Sequence, residues 1–127
     1  MTVEHLNPET LHVNPAFSQG TITSAGRTLY VGGQNGTDAE GVITGDAGEQ
    51  SAQAMRNVMA VLDAAGAKPA DVAKLTIYLA ESVDPTAAYG AVMPIWGTQP
   101  TAVSVLKVAA LGRPEALVEI EAIASLG

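Results

Sequence analysis

The stretch LVEIEAIA, residues 117–124, decides the fold of this 127-residue chain. Side chains alternate between the two faces of a β-strand, so one face is wholly apolar and predicts packing against helices. That face contains Val118, Ile120, Ala122 and Ala124. The opposite face mixes carboxylates with apolar groups at Leu117, Glu119, Glu121 and Ile123. We expect a similar mixed face at Val103, Val105, Lys107 and Ala109. Such surfaces favour burial between subunits, with a solvated face as the alternative.

Strands and one helix are predicted in the first half of the chain. Residues 19–24 and 28–33 are β-rich segments separated by a turn signal, and a short edge strand is expected at 11–13. A capping-box pattern at Asp46 begins a helix that Gly66 ends. The predicted apolar face of this helix contains Ala54, Val58, Val61, Leu62 and Ala65.

The second half predicts a strand, a helix and two more strands. Residues 73–79 alternate as a strand, and residues 84–93 form a helix with a proline in its first turn. Residues 103–110 and 117–124 flank a tight Gly112-Arg113-Pro114 connection, which predicts an antiparallel hairpin. The resulting order is β-β-α-β-α-β-β. We therefore expect an α+β fold, with two helices covering one face of a mixed sheet.

Length and composition exclude several classes of function. The length suits a single domain over residues 1–127. A net charge of −7 with six Lys and Arg argues against binding to nucleic-acid phosphates. The absence of cysteine excludes disulfides and thiolate sites, and His5 and His12 lie far from any carboxylate cluster, so no metal is expected. Without an apolar run of about 18 residues, no membrane association is expected and a cytoplasmic location is the default.

Four stretches are similar to the Rid (RidA/YjgF) family, whose reactive imine and enamine deaminases are its best-known members. They are Phe17-Ser18-Gln19-Gly20, Tyr30-Val31-Gly32-Gly33-Gln34, the helix from Gln50 to Gly66, and the segment from Pro100 to Ala124. The most specific match is the terminal VEIEAIA, because the family's last strand carries an IEIEAIA-like run. The similarity covers nearly the whole chain.

The resemblance implies a fold like that of the trimeric type of chorismate mutase. Three mixed sheets would form a central barrel, with two helices on one face of each sheet and three clefts between subunits. The best-known members hydrolyse reactive 2-imino acids to 2-keto acids and ammonia without a cofactor or metal. The expected partners are therefore two further copies of the chain, as a homotrimer, and a small-molecule ligand.

The resemblance also implies roles for individual residues. Glu119 matches the family's acidic residue that handles water, and Gly33 matches a backbone donor in the Gly-Gln turn. Ser104 and Val105 match the strand positions beside the anchor of the substrate carboxylate. Tyr89 is a candidate to line the cleft from the second helix. The alternatives are a surface or interface charge at Glu119, turn glycines at Gly32 and Gly33, and core or interface packing at Tyr89.

Three positions depart from the pattern of active deaminases. Val103 occupies the position of the arginine that clamps the substrate carboxylate. Phe17 and Gly32 stand where deaminases carry a tyrosine and a serine, so two hydroxyl groups are lost. Lys107 is expected to pair across the hairpin with Glu119 or Glu121 instead of replacing the arginine. Losing a bidentate, partly buried contact typically costs several kcal/mol of binding, so a neutral or more apolar ligand is favoured.

Three functions are consistent with these observations. The first is hydrolysis of a reactive imine, enamine or related intermediate in a cleft between subunits. The second is a non-catalytic small-molecule binder or regulator that has kept the trimer and lost the chemistry. The third is an endoribonuclease, an older description of family members, which the net charge of −7 disfavours.

Overall fold

A computed structural model describes residues 3–127 and contains two α-helices on one face of a four-stranded sheet, beside a separate two-stranded sheet. This arrangement confirms the predicted α+β class. The elements are β1 (Val3–Leu6), β2 (Gly20–Thr23), β3 (Thr28–Gln34), α1 (Ala47–Ala64), a 3₁₀ turn (Pro69–Asp71), β4 (Val72–Ala80), α2 (Pro85–Trp96), β5 (Ala102–Val108) and β6 (Val118–Ser125).

The order of strands in the main sheet is β3-β6-β4-β5, with β4 and β5 parallel and the other pairs antiparallel. The predicted hairpin between β5 and β6 is therefore wrong, because β4 lies between them. The chain leaves β4, crosses one face of the sheet as α2 and returns parallel to β4 as β5. A parallel pair requires such a crossover. The tight connection at 112–114 then leads β6 to the other side of β4.

The N-terminal segment differs from the expected edge strand at 11–13. Those residues are irregular and exposed, and the strand instead lies at β1, which pairs with β2 in antiparallel register. His5 fastens this segment to the loop after α2, because its Nδ1 lies 2.7 Å from Ser18 Oγ and 3.0 Å from the carbonyl oxygen of Pro100. The segment therefore lies against the loop that follows α2, and its Pro15 and Ala16 line the cavity described below.

The capping box of α1 is confirmed. Asp46 accepts a hydrogen bond from the Glu49 backbone N–H at 2.9 Å, and the Glu49 side chain accepts one from the Asp46 N–H at 3.1 Å. Gly66, with φ of 73°, follows the end of the helix as predicted. The fully buried stripe is shifted from the predicted one, and Val61 and Ala65 are only half-buried. It contains Gln50, Ser51, Ala54, Met55, Val58 and Leu62.

Gln50 joins the start of α1 to the connection that precedes β6. Its buried Nε2 donates to the carbonyl oxygens of Gly45 at 3.1 Å and Glu115 at 3.2 Å. Its Oε1 accepts a hydrogen bond from the Leu117 N–H at 2.8 Å. These three bonds satisfy both ends of one buried amide and fix the backbone at Leu117, immediately before β6 and two residues before Glu119.

Candidate functional site

The sheet register places the predicted site residues on two opposite faces. Val103 pairs with Leu75, which is 2% exposed beneath the helices, so Val103 belongs to the helix side. Glu119 pairs with Tyr78, which points the other way because side chains alternate along β4. The expectation that Val103 shares the mixed face of Glu119 is therefore wrong. Within one chain, the sheet separates the two positions.

On the helix side, Tyr89, Val103 and Val105 come together around a cavity of about 380 Å³ between α2 and β5. We call it the Val103 cavity. Trp96 is buried in its lining, and the indole Nε1 donates to the Gln99 carbonyl oxygen at 3.0 Å. Tyr89 is 53% exposed at the rim. The lining consists of apolar and neutral polar residues, with no charged side chain among those described.

On the opposite face, which we call the outer face, Glu119 lies against β3. Its Oε1 accepts a hydrogen bond from Asn35 Nδ2 at 3.3 Å, and the same Nδ2 donates to the Val118 carbonyl oxygen at 3.0 Å. A Cβ at Gly33 would overlap the Glu119 carboxylate, so the absence of a side chain at Gly33 makes room for it. Asn57 supports this loop through a hydrogen bond to the Asn35 carbonyl oxygen at 3.1 Å.

The rest of the outer face carries two polar pairs. The Tyr78 hydroxyl donates to Glu121 Oε1 at 2.6 Å, and Lys74 Nζ donates to Ser104 Oγ at 2.7 Å. Gly32 borders a shallow depression of about 230 Å³ that Lys74 and Glu121 also line. Ser104 is therefore on the face of Glu119, whereas its neighbours in β5 face the helices.

Phe17 and Lys107 lie outside both groups. Phe17 packs edge-on against His12, with ring centroids 6.1 Å apart, and lines a separate cavity of about 310 Å³. The prediction that Lys107 pairs with Glu119 or Glu121 is wrong. Lys107 pairs with Leu79 in the parallel register, on the helix side, and its Nζ donates to the Glu81 carbonyl oxygen at 3.0 Å.

Comparison with known proteins decides the family. A family sequence model described as "Endoribonuclease L-PSP" matches residues 8–126. The chain belongs to the Rid (YjgF/L-PSP) family. This result confirms the assignment made from the terminal run of β6, and it covers almost all of the described chain.

The Rid relatives include enzymes and solved structures. The chain is 36% identical over 118 residues to a rat (Rattus norvegicus) 2-iminobutanoate/2-iminopropanoate deaminase, covering 88% of this chain and 81% of that protein. A Rid-family protein of unknown function from Yersinia pestis has a TM-score of 0.88 and 36% identity, with 99% and 100% of the two chains covered. Escherichia coli TdcF with bound serine has a TM-score of 0.71 and 27% identity, with 91% of each chain covered.

Two further findings concern metal ligation and membrane-spanning helices in this Rid chain. Within residues 3–127, no cluster of three or more His, Cys, Asp or Glu side chains is placed to ligate a metal ion. Over the same range, neither helix is long and apolar enough to cross a membrane.

Sequence reasoning missed two polar residues of the Rid chain. Asn35 is not among the predicted site residues, because its contact with Glu119 depends on a pairing between distant strands. Ser51 is fully buried on the apolar stripe of α1. Its spacing from Ala54, Met55 and Val58 by three, four and seven residues was the signal that could have identified it.

The Tyr78–Glu121 pair of the Rid chain predicts a pH response. The hydrogen bond to Glu121, followed by partial desolvation and the charges of Glu121 and Glu119, raises the pKa of Tyr78 above 10.0. Because the neutral phenol is favoured in the folded state, the pair's contribution to stability is present below pH 10 and is lost as pH rises through the raised pKa. We expect the Glu121→Gln variant to titrate this tyrosine at lower pH, measured by tyrosinate absorbance. Unchanged titration would contradict the assignment.

Proposed function

We propose that this Rid protein is a homotrimer that hydrolyses a neutral imine or enamine in clefts between subunits. The observation that carries the proposal is the position of the Glu119 carboxylate, which is held by Asn35 against Gly33 on the face opposite the Val103 cavity. A cavity and a carboxylate on opposite faces of one sheet can meet when two copies of the chain are placed side by side. The names of the deaminase relatives support C=N hydrolysis as the reaction.

The proposed chemistry needs one carboxylate and one water molecule. Water adds to the carbon of the C=N bond, and Glu119 accepts a proton from that water as the C–O bond forms. Glu119 returns that proton to the nitrogen, and the hydroxyl proton of the adduct passes to the departing nitrogen as the C–N bond breaks, which releases ammonia and leaves a carbonyl product. The two ion pairs found among residues 3–127, Lys68–Asp71 and Arg113–Glu115, do not involve Glu119. Its carboxylate therefore keeps acceptor capacity for the water.

The outer face supports assembly. Tyr30, Leu106 and Ile123 are 73%, 43% and 37% exposed there, beside the carboxylates. Burial of apolar area contributes about 25 cal/mol per Å², so covering these side chains with a second copy is favourable. Sedimentation equilibrium is expected to give three times the 12.9 kDa chain mass. A monomer at working concentration would remove the shared cleft and the proposal with it.

The Val103 cavity supports a neutral substrate. A carboxylate is usually held by a guanidinium through two parallel hydrogen bonds, and the cavity lining has no charged side chain. Ammonia release should be measured with a panel of imines made in situ, including neutral imines and 2-iminopropanoate. We expect faster release from the neutral members. Faster release from 2-iminopropanoate would contradict the proposed substrate class.

The second candidate is a non-catalytic binder or regulator. By its resemblance to active deaminases, the chain has Val103, Phe17 and Gly32 in place of an arginine, a tyrosine and a serine. It therefore has fewer polar groups to bind a substrate carboxylate. The same assay separates the two functions. A trimer that binds small carbonyl compounds but releases no ammonia from any imine would favour the binder.

A further inference from the structure

A second apolar cavity, of about 200 Å³, lies beneath α2 and beside the Val103 cavity. We call it the Ser51 cavity. Its other lining residues are mostly apolar side chains and include Ala88 of α2. Four of these also line the Val103 cavity: Ile77, Tyr89, Val92 and Val105. The two cavities are therefore neighbours along the same helix.

Ser51 is the unusual member of this lining. The residue is fully buried, and its Oγ is the one buried side-chain N or O atom of the described chain without a hydrogen-bond partner. Leaving a hydroxyl buried and unpaired is unfavourable. An alanine at this place on the stripe with Ala54 and Met55 would pack without that cost. Packing alone therefore gives no reason for a serine here.

We propose that the Ser51 cavity binds the apolar part of a small neutral ligand that carries one carbonyl or hydroxyl group. Rotation about χ1 of Ser51 would bring its Oγ to that group, and the apolar walls would surround the rest. A cavity of 150 Å³ can hold benzene, so this one suits about six to eight carbon atoms. No charged residue lines it, which excludes a carboxylate as the buried group.

This inference deepens the proposed function, because it assigns the substrate an apolar chain that extends beneath α2. Its test is a binding measurement and requires no turnover. Binding without ammonia release would uphold the Ser51 cavity and reject the hydrolase. Ammonia release from an imine, together with ligand affinity that does not depend on chain length, would uphold the hydrolase and reject the Ser51 cavity.

The probes are 2-butanone, 2-hexanone and hexanoate, titrated calorimetrically into the full-length protein. We expect affinity to rise about fourfold for each methylene between the two ketones, and hexanoate to bind more weakly than 2-hexanone. Equal affinity for the two ketones, or tighter binding of hexanoate, would overturn the proposal.

Matched variants locate the binding. Ala88 lines the Ser51 cavity but not the Val103 cavity, so Ala88→Leu should abolish the gain from chain length. Ala87→Leu adds the same group on the exposed side of α2 and should bind as the native chain does. Native-like binding by a folded Ala88→Leu variant would contradict the assignment.

A second variant keeps the test decisive if Ala88→Leu fails to fold. Ser51→Ala removes only the hydroxyl group, so it should lower the affinity for 2-hexanone by about threefold to tenfold. Benzene has no hydrogen-bonding group, and its affinity should be unchanged. Equal effects of Ser51→Ala on both probes would remove Ser51 from the site.

Discussion

The Glu119→Gln variant is expected to hydrolyse the preferred imine with kcat/KM lowered by about a hundredfold or more. Glutamine keeps the size of the side chain beside Gly33 and can still accept the hydrogen bond from Asn35. It cannot accept a proton from water. General acid–base groups typically contribute about 10²–10⁴ in rate, so the loss should be in kcat with little change in KM. The measurement is steady-state ammonia release.

The matched control for Glu119→Gln is Glu121→Gln. Glu121 lies on the same face of β6, two residues further on, and its carboxylate is bonded to the Tyr78 hydroxyl. The Glu121→Gln variant removes one negative charge from the outer face, as Glu119→Gln does, at a neighbouring position. We expect a small change in kcat from this control. Equal losses in the two variants would attribute the effect to the charge of the outer face, and no loss in either would remove Glu119 from the mechanism.

The Val103→Arg variant is expected to gain at least about tenfold in kcat/KM for 2-iminopropanoate. Val103 is half-buried at a cavity of about 380 Å³, which gives an arginine room without displacing the core. Its guanidinium could then hold a carboxylate through two hydrogen bonds. The gain should appear as a lower KM for 2-iminopropanoate, and activity on neutral imines should fall.

Val103→Met is the control for size without charge. It should leave the ratio of activities on charged and neutral imines close to that of the native protein. Thermal unfolding of both variants should show that the fold survives, since the cavity opens to solvent. If Val103→Arg and Val103→Met behave alike on 2-iminopropanoate, the presence or absence of an arginine at position 103 does not determine the substrate class.

The fold was predictable where local patterns act alone. The alternation in 117–124, the capping box at Asp46 and the glycine at Gly66 specify β6 and both ends of α1. The neighbours of β6 were not predictable, because a tight connection indicates that the chain changes direction but does not indicate which strand it then pairs with. Whether β4 inserts between β5 and β6 depends on the crossover through α2, which is a property of the whole sheet.

For the candidate site, likewise, local patterns select single residues but not their spatial neighbours. Position in the terminal run selects Glu119 as a candidate, but its neighbours Gly33 and Asn35 come from β3 and the loop after it. The face of Val103 could not be read from β5 alone, since its orientation follows from the register with Leu75. A mixed sequence of apolar and charged residues at an edge strand is compatible with either face.

The separation of Glu119 and Val103 by the sheet has a genetic consequence under the proposed assembly. Each working site would combine the carboxylate of one subunit with the cavity of its neighbour. A chain damaged at Glu119 and a chain damaged at the Val103 cavity would then be inactive alone. Expressed together, they would form mixed trimers. Some clefts would then combine the intact Val103 cavity of one variant with the intact Glu119 of the other.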